Sequence, residues 1–535
     1  MRKIKTQYIL ASLAAVLTLF TACTEDNTIT EKVQSAAQGN SDNESDEVIA
    51  ALSGIAGIYD VELRKGDDGT PIYYFKFTQY IDNFDSSKGI YLQQAALLFK
   101  GFDKDVVVHT CGYALQTDKF GFDDLSIYLD ANQIDIEHRY FGSSLPEDFE
   151  NLTYTYLDAS QQACDIHNLV STLREKLFKN GKWVSTGTSK DGITTALQAF
   201  YSDIYGWDDI DVFVPFCAPF MTGTLYSDYT YSCNDKTPGV YLSNYCGSGY
   251  EEGSVENTAY QRLRLIPYYI CTDPTIRDRA VKAVYQVEPA FYAKIMKQYN
   301  SHSYMSTGDV TKDLTALALN RFYEKLFVKF SYVPYSEWAK LVPDPALLAS
   351  GNATEEDFQN FADFLTMDVN GLAEKLKENE TRTIGERWWV ILLQRRTNNT
   401  APYYIQGYKE LGLNDHDYSL VDGDYLTAEE CDKVNYLFTG QAEYQGLYPQ
   451  DKGLLMRSFL EWAKTESTRP IIFVYAHNDP WTGAGIPDET AAANPMIIKV
   501  VDRIATHNNY FLSRECYELT TEQTIVAALK KFLKR

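Results

Sequence analysis

The chain has little of what a metal site needs. Its 535 residues contain nine cysteines and seven histidines. The cysteines are scattered without a Cys-x-x-Cys pair, and no His-Glu-x-x-His motif occurs. Because zinc sites and metalloprotease centres use such closely spaced ligands, the sequence indicates no metal-dependent mechanism. We also expect no cofactor.

Positive charge is scarce as well. Lys and Arg number 49 against 73 Asp and Glu, so the formal net charge is -24. A chain this acidic repels the phosphates of nucleic acids and the head groups of anionic lipids. Nucleic-acid binding is therefore excluded as the main role.

Long hydrophobic runs are absent beyond the N-terminus. The apolar stretch from Tyr8 to Phe20 follows three basic residues and is too short to span a bilayer comfortably. It ends in Phe20-Thr-Ala-Cys23, which resembles the cleavage box of a bacterial lipoprotein. We therefore predict a signal peptide over residues 1–22 and a lipidated Cys23, with a plain secretory signal as the alternative.

The predicted mature chain begins with a polar tether. Residues 23–48 are rich in Ser, Asn, Asp, Glu and Gln and cannot bury enough apolar surface to fold. Acyl chains on Cys23 would hold the protein to a membrane without a spanning helix. We expect a protein of the bacterial cell envelope, lipid-anchored to the outer membrane and either periplasmic or surface-exposed. The anchor would be its only membrane contact.

The rest of the chain divides into three segments by pattern. Strand-like and helix-like runs alternate over residues 49–225, helical periodicity dominates 226–466, and strand character returns in 467–535. Strands that alternate with helices predict a mostly parallel sheet. The predicted fold class is α/β, with a core formed by the first and third segments and a helical cap inserted between them.

A candidate nucleophile lies in Trp183-Val-Ser-Thr-Gly-Thr-Ser-Lys-Asp-Gly192. A β-rich run, a glycine-flanked turn around Ser189 and a helical segment follow one another, which is the context of a nucleophile elbow. The backbone N–H of Lys190 would then face an oxyanion. The usual pattern is Gly-x-Ser-x-Gly, and Asp191 stands at its last position. An ordinary strand-to-helix turn is the alternative.

A serine nucleophile needs a histidine base and an acid that orients the base. Asp479 follows the strand-like run from Ile471 to Tyr475, and His507 follows the run from Met496 to Val501. These are the places of the acid and the histidine in the chain order Ser, Asp, His; for Asp479, simple turn chemistry is the alternative. We expect the remaining histidines to be packed in the core, structural or on the surface: His109, His138, His167, His302, His416 and His477.

Several ordered motifs carry a family resemblance. They are Leu129–Phe141 with its Glu-His-Arg-Tyr element, Gln161–His167, Gly181–Lys190, Tyr403–Gly412 and Phe473–Trp481. Together they resemble the bacterial secreted tripeptidyl aminopeptidase family of serine peptidases, of the mycelial PS-10 type. The Glu-His-Arg-Tyr element is also distantly similar to prolyl carboxypeptidase and dipeptidyl peptidase relatives.

The resemblance implies an α/β-hydrolase core with a helical cap and a triad of Ser189, Asp479 and His507. It also implies that the turn Gly112-Tyr113 supplies the second oxyanion element beside the Lys190 N–H. Two residues depart from the family pattern, because Asp191 and Asn508 stand where the family has glycine.

The leading hypothesis is a cell-envelope serine exopeptidase that releases short peptides, such as tripeptides, from free N-termini. Its partner is a peptide substrate, whose ammonium group would need a carboxylate; Glu410 is one candidate, and a solvated helix position is the alternative for it. The second hypothesis is a catalytically weakened peptide-binding lipoprotein on the same fold, as Asp191 suggests. An esterase on that fold is the third.

Overall fold

The structure is a computed structural model that divides the chain into two units, Met1–Ala56 and Gly57–Arg535. In the first unit, residues 44–53 form a helix. The predicted signal peptide and Cys23 lie outside the described residues. The residues described are 44–66, 69–115, 121–147, 152–220, 251–300, 307–332, 335–367, 401–412, 421, 423–427, 429–431, 433–434, 451, 453–477, 479–507 and 517–535.

Within the described residues, the second unit is built around one sheet of nine strands. In chain order the strands are β1 (Ile58–Lys65), β2 (Pro71–Tyr80), β3 (Ile90–Leu98), β4 (Val106–Thr110), β5 (Asn132–Ile136), β6 (Trp183–Thr188), β7 (Val212–Phe216), β8 (Ile471–Ala476) and β9 (Ile497–Asp502). Their spatial order is β1-β2-β3-β5-β4-β6-β7-β8-β9. The neighbouring pairs β1-β2, β2-β3 and β3-β5 are antiparallel. The remaining neighbouring pairs, β5-β4, β4-β6, β6-β7, β7-β8 and β8-β9, are parallel.

Two of the central strands, β7 and β8, are apolar along their whole length. All residues of β7 (Val-Phe-Val-Pro-Phe) and of β8 (Ile-Ile-Phe-Val-Tyr-Ala) are buried. Continuous apolar runs are typical of parallel strands that are covered on both faces. Because neighbouring parallel strands run in the same direction, the turns that follow β6, β7, β8 and β9 meet at one edge of the sheet.

Helices flank the sheet and fill the segment between β7 and β8. The prediction of an α/β-hydrolase core is confirmed, since a mostly parallel sheet carries helices and the serine turn follows one of its central strands. In chain order the α-helices of this unit are α1 (Asp124–Leu129), α2 (Ala159–Lys176), α3 (Lys190–Tyr205), α4 (Val255–Thr272), α5 (Pro274–Val287), α6 (Pro289–Asn300), α7 (Val310–Tyr332), α8 (Tyr335–Trp338), α9 (Pro345–Ala349), α10 (Glu355–Thr366), α11 (Ala401–Gln406), α12 (Leu454–Thr465), α13 (Asp488–Ala493) and α14 (Leu519–Leu533).

The inserted helices α4 to α10 have an apolar core of their own. Leu263, Trp338 and Phe361 are fully buried in it. A different cluster joins the sheet to the C-terminal helix, where Leu529 of α14 packs in one core with Val474 of β8. The insertion therefore buries its hydrophobic stripes within itself, which is why helical periodicity persists inside an α/β chain.

A buried ion pair fastens the segment after β5 to α2. The Arg139 Nε donates to Asp165 Oδ2 at 2.7 Å and Nη2 donates to Oδ1 at 2.8 Å, with both side chains fully buried. The guanidinium also donates to the carbonyl oxygens of Tyr80, Ile81 and Tyr156. Full compensation by hydrogen bonds is the condition under which a buried pair is tolerated. Arg139 belongs to the motif Leu129–Phe141 and Asp165 to the motif Gln161–His167, so the pair gives both motifs a structural role.

We expect Arg139→Leu to lower the free energy of unfolding by about 3–5 kcal/mol, because it leaves the Asp165 carboxylate buried without its counter-charge. Urea unfolding followed by tryptophan fluorescence measures the loss. The double variant Arg139→Leu/Asp165→Leu should recover part of it.

The exposed pair of Lys176 and Glu175 provides the control for this prediction. Lys176→Ala should leave the unfolding midpoint unchanged, because exposed ion pairs contribute little. An Arg139→Leu protein as stable as the wild type would contradict the assigned role of the buried pair.

Candidate active site

Ser189 lies on a strained turn between β6 and α3. Its backbone angles are φ 64° and ψ -122°, a conformation that residues other than glycine rarely adopt. Its N–H donates to the Phe216 carbonyl and its own carbonyl accepts from the Ile193 N–H, both at 2.9 Å. The residue is partly exposed. This is the geometry of a nucleophile elbow.

Two glycines allow strand and helix to approach at this turn. A Cβ added at Gly187 would lie 2.6 Å from the Asp191 carbonyl, and one added at Gly192 would lie 2.6 Å from the Phe216 carbonyl oxygen. Neither position can therefore carry a side chain without backbone movement. Gly192 permits the close approach although it stands one residue later than in the usual pattern.

Asp479 and His507 form a buried pair. His507 Nδ1 lies 2.8 Å from Asp479 Oδ2, with relative exposures of 4% and 0%. The other carboxylate oxygen, Oδ1, accepts from the Trp481 N–H at 3.0 Å. The backbone N–H of the nearby His477 donates to the Asp502 carbonyl at 2.7 Å. The carboxylate therefore fixes the orientation of one imidazole, that of His507.

Backbone hydrogen bonds link the serine turn to the acid turn. Ser189 follows β6, Asp479 follows β8, and β7 lies between these strands. The Ser189 N–H donates to Phe216, the last residue of β7, and the next residue, Cys217, donates its N–H to Val474 of β8 at 2.8 Å. The two turns are thus held at the same sheet edge.

The residues after Ser189 clamp the turn at Gly112. The Gly112 N–H donates to Asp191 Oδ1 at 2.6 Å, and the Lys190 Nζ donates to the Gly112 carbonyl at 2.5 Å. A Cβ at Gly112 would lie 2.7 Å from Asp191 Oδ1. Thr110, at the end of β4, donates its hydroxyl to the Asp191 carbonyl at 3.1 Å. The start of α3 and the turn after β4 therefore form one hydrogen-bonded unit.

The hydrogen bonds of this unit bear on the predicted oxyanion donors, which are the N–H groups of Lys190 and of the turn Gly112-Tyr113. The Gly112 N–H is engaged by Asp191, so it does not point to an oxyanion in this structure. Lys190 is the first residue of α3, and the first backbone N–H groups of a helix have no acceptor within the helix. Tyr113 follows Gly112 in the same turn. The backbone N–H groups of Lys190 and Tyr113 stay predictions as oxyanion donors.

Lys190 is buried among aromatic rings. Its Nζ lies 5.4 Å from the centre of the Tyr113 ring and 5.1 Å from that of Phe141. Burial lowers the pKa of Lys190 to about 7, against the opposing effect of nearby carboxylates. Burial, together with this neighbouring cation, also lowers the pKa of His138 well below its usual value. His138 therefore stays neutral at physiological pH.

Part of the cap segment docks beside the Gly112 turn. Tyr403 of α11 stacks on Tyr113 with ring centres 5.9 Å apart. In the π-helical turn Gly407–Leu411, Glu410 accepts from the Ala159 N–H at the start of α2 at 2.9 Å. Burial raises the pKa of Glu410 to about 8. The expectation of a solvated Glu410 is therefore wrong, because its carboxylate caps a helix N-terminus.

The histidines before Ser189 have structural partners. His109 and His167 lie beside Asp135 and Asp209, with Nδ1–oxygen distances of 3.5 and 2.7 Å. His138 Nδ1 lies 2.8 Å from a backbone carbonyl oxygen. These contacts agree with packed side chains of the core. His302, His416 and Asn508 lie outside the described residues, as Cys23 does.

Sequence reasoning missed the clamp on Gly112. It interpreted Asp191 only as a departure from a glycine pattern, whereas the structure makes its carboxylate an acceptor for a residue 79 positions earlier. No local spacing could have revealed that contact. It exists because β4 pairs with β6, which brings the two turns together.

Known proteins with similar sequences are peptidases. Residues 43–232 match the sequence model of the family described as PS-10 peptidase S37. A prolyl tri/tetrapeptidyl aminopeptidase of Streptomyces mobaraensis is 25% identical over 413 residues, which cover 76% of this chain and 69% of that protein. The first match contains Ser189 and the Gly112 turn, and the second extends over most of the chain.

Solved structures with similar folds include hydrolases. The rice cell wall degrading esterase LipA of Xanthomonas oryzae aligns with 89% of this chain and 98% of its own at 12% identity, with a TM-score of 0.33. A protein of Legionella pneumophila aligns with 91% of this chain and 94% of its own at 11% identity, with a TM-score of 0.31. At these TM-scores the fold assignment rests on the sheet topology described above.

We expect Asp191→Gly, which restores the family's glycine, to lower kcat/KM about tenfold. The Gly112 N–H would lose its acceptor, and the turn that carries Tyr113 would no longer be fixed. Hydrolysis of peptide anilides measures the loss. Asp191→Asn keeps an acceptor oxygen at the same place and should retain more activity. A gain of activity in the glycine variant would contradict the clamp.

Proposed function

The chain is a serine peptidase related to the PS-10 peptidase family, and we propose that it acts through a triad of Ser189, His507 and Asp479. The observation that carries the proposal is the buried Asp479–His507 pair at the sheet edge that also holds the strained Ser189 turn. We further propose that it releases short peptides, such as tripeptides, from free N-termini.

The proposed reaction follows from the order of these contacts. His507 Nδ1 is held by Asp479, which leaves Nε2 as the nitrogen that can take the proton of the Ser189 hydroxyl. Ser189 Oγ attacks the scissile carbonyl, and His507 later gives the proton to the leaving amine. Asp479 stabilises the imidazolium that forms between these steps.

Charge on the carbonyl oxygen has to be stabilised during the attack. The backbone N–H of Lys190 at the start of α3 and that of Tyr113 are the proposed donors. One such donor typically stabilises the transition state by about 3 kcal/mol. The clamp of Lys190 and Asp191 on Gly112 supports this assignment, because it fixes the two donors relative to each other.

Two observations support cleavage near chain ends. The similar Streptomyces mobaraensis protein is named a prolyl tri/tetrapeptidyl aminopeptidase. Helix α7 of the inserted segment contacts the 3-10 turn Pro480–Ala484, which directly follows Asp479. An inserted segment that reaches the acid turn can restrict access to the site, as lids of hydrolases do.

Treatment with a fluorophosphonate probe should label the purified soluble form, without the first 43 residues, at one serine. Ser189→Ala should abolish labelling. A panel of tripeptide anilides should then be cleaved when the N-terminus is free and left intact when it is acetylated, because the proposed enzyme binds the terminal ammonium.

The controls separate the alternatives. Saturable peptide binding without labelling or turnover would contradict the peptidase mechanism and favour the weakened peptide-binding lipoprotein. A preference for short acyl esters over anilides by a wide margin would favour an esterase. Equal cleavage of free and acetylated peptides would leave the triad standing and contradict the exopeptidase specificity.

We also propose that the protein is anchored in the cell envelope through Cys23. The support is the N-terminal sequence, with its basic residues, short apolar stretch and Phe20-Thr-Ala-Cys23 box. Within the part of the chain that the structure describes, no helix is long and apolar enough to cross a membrane.

Cys23→Ala should abolish lipid anchoring of the full-length protein, because the acylation site is lost. The variant should appear in the soluble fraction or as a precursor that keeps its signal peptide. Immunoblotting of fractionated cells measures this change, and Cys271→Ala, which alters a buried cysteine of the cap, should leave the distribution unchanged. Membrane association that survives Cys23→Ala after signal cleavage would contradict the lipid anchor.

A further inference from the structure

Cys217 occupies a strained position directly after β7. Its φ is 46°, and it is 1% exposed. Its N–H donates to the Val474 carbonyl at 2.8 Å. A residue other than glycine is strained in this left-handed conformation, and the conformation persists only where the surroundings impose it. The surroundings of this residue are those of the proposed triad.

The thiol of Cys217 contacts the triad acid. Its sulfur is buried next to the Asp479 carboxylate. Ligand atoms of Cys217, Asp479 and His507 all lie within 4.8 Å of one another. The Asp479 carboxylate thus pairs with the His507 imidazole and accepts from the Trp481 N–H, and the thiol of Cys217 lies close to it.

The charge state of the thiol decides what it can do. Burial raises the pKa of Cys217 well above its usual value, and the charge of Asp479 raises it further. Tyr517 also faces this group, and burial raises its pKa in the same way. Asp502 and Asp124 lie near Tyr517 and add negative charge. At neutral pH the sulfur therefore keeps its proton and is a hydrogen-bond donor.

We propose that Cys217 is a positioning residue for the catalytic acid: its S–H donates to Asp479 and holds the carboxylate in the orientation that receives His507. The left-handed backbone after β7 aims the side chain across to the turn after β8. The inference rests on the proposed triad. In this role Cys217 supports Asp479 from the end of β7, the strand that lies between β6 and β8.

The same three side chains could in principle surround a metal ion. Zinc binding would require the thiolate, however, and would break the Asp479–His507 hydrogen bond. A buried thiol that is held protonated beside a carboxylate opposes both changes. A protonated thiol beside Asp479 therefore fits these three residues better than a metal site does.

The test compares Cys217→Ala, Cys217→Gly and Cys217→Ser, with Cys271→Ala as the control for loss of a buried thiol elsewhere. Alanine removes the donor, glycine removes it and also relieves the strained backbone, and serine keeps a donor. Unfolding midpoints show which variants are folded. The readouts are kcat and KM on a peptide anilide, the pH profile of kcat/KM, and the rate of fluorophosphonate labelling.

We expect the alanine and glycine variants to lose about tenfold in kcat with little change in KM, the effect of one hydrogen bond to a charged group. The acidic limb of their kcat/KM profile should move to higher pH by a few tenths of a unit. The reason is that Asp479 with one donor fewer attracts the protonated imidazole more strongly. Serine should restore much of kcat and the wild-type profile.

Three results would overturn the inference. These are wild-type kcat and pH profile in the alanine and glycine variants, a serine variant as slow as the alanine variant, or Zn²⁺ binding that depends on Cys217 while kcat of Cys217→Ala is unchanged. Fluorophosphonate labelling distinguishes failure of this inference from failure of the proposed peptidase function. A wild type that labels at Ser189 without cleaving peptides contradicts the peptidase specificity, and the labelling rates of the variants still test Cys217.

Discussion

The parallel alignment of β6, β7, β8 and β9 is the constraint on which the candidate site depends. Residues that are 290 positions or more apart along the chain meet only because these strands end at one edge of the sheet. The alignment is stable because β7 and β8, in the middle of this set, are apolar throughout and buried along their whole length. Backbone bonds from Ser189 to β7 and from Cys217 to β8 then fix the turns relative to one another.

The turn after β4 illustrates how a departure from a motif can be compensated. Asp191 takes the place of a glycine, and its carboxylate accepts the Gly112 N–H at 2.6 Å. Gly192 meanwhile permits the close contact with the Phe216 carbonyl. The steric role and the hydrogen-bonding role therefore fall on two adjacent residues. This arrangement favours an intact site over a degraded one.

The resemblance motifs outside the proposed triad contribute buried contacts to the core. Arg139 and Asp165 are partners in one buried ion pair, while Tyr403 and Glu410 attach part of the inserted segment beside the Gly112 turn and the start of α2. Buried polar groups of this kind are costly when unpaired. They therefore tie distant parts of the chain to a single arrangement around the site.

The sequence by itself determined the α/β fold class, the serine turn after a strand, and Asp479 and His507 as its candidate partners. Each follows from local pattern, since strand runs, glycine-rich turns and chain order are visible without contacts. Only the tertiary structure decided that Asp191 holds Gly112, that Glu410 accepts a hydrogen bond at the start of α2, and that Cys217 lies beside Asp479. These contacts join residues from different turns, and their partners are set by strand pairing and burial, which no spacing along the chain encodes.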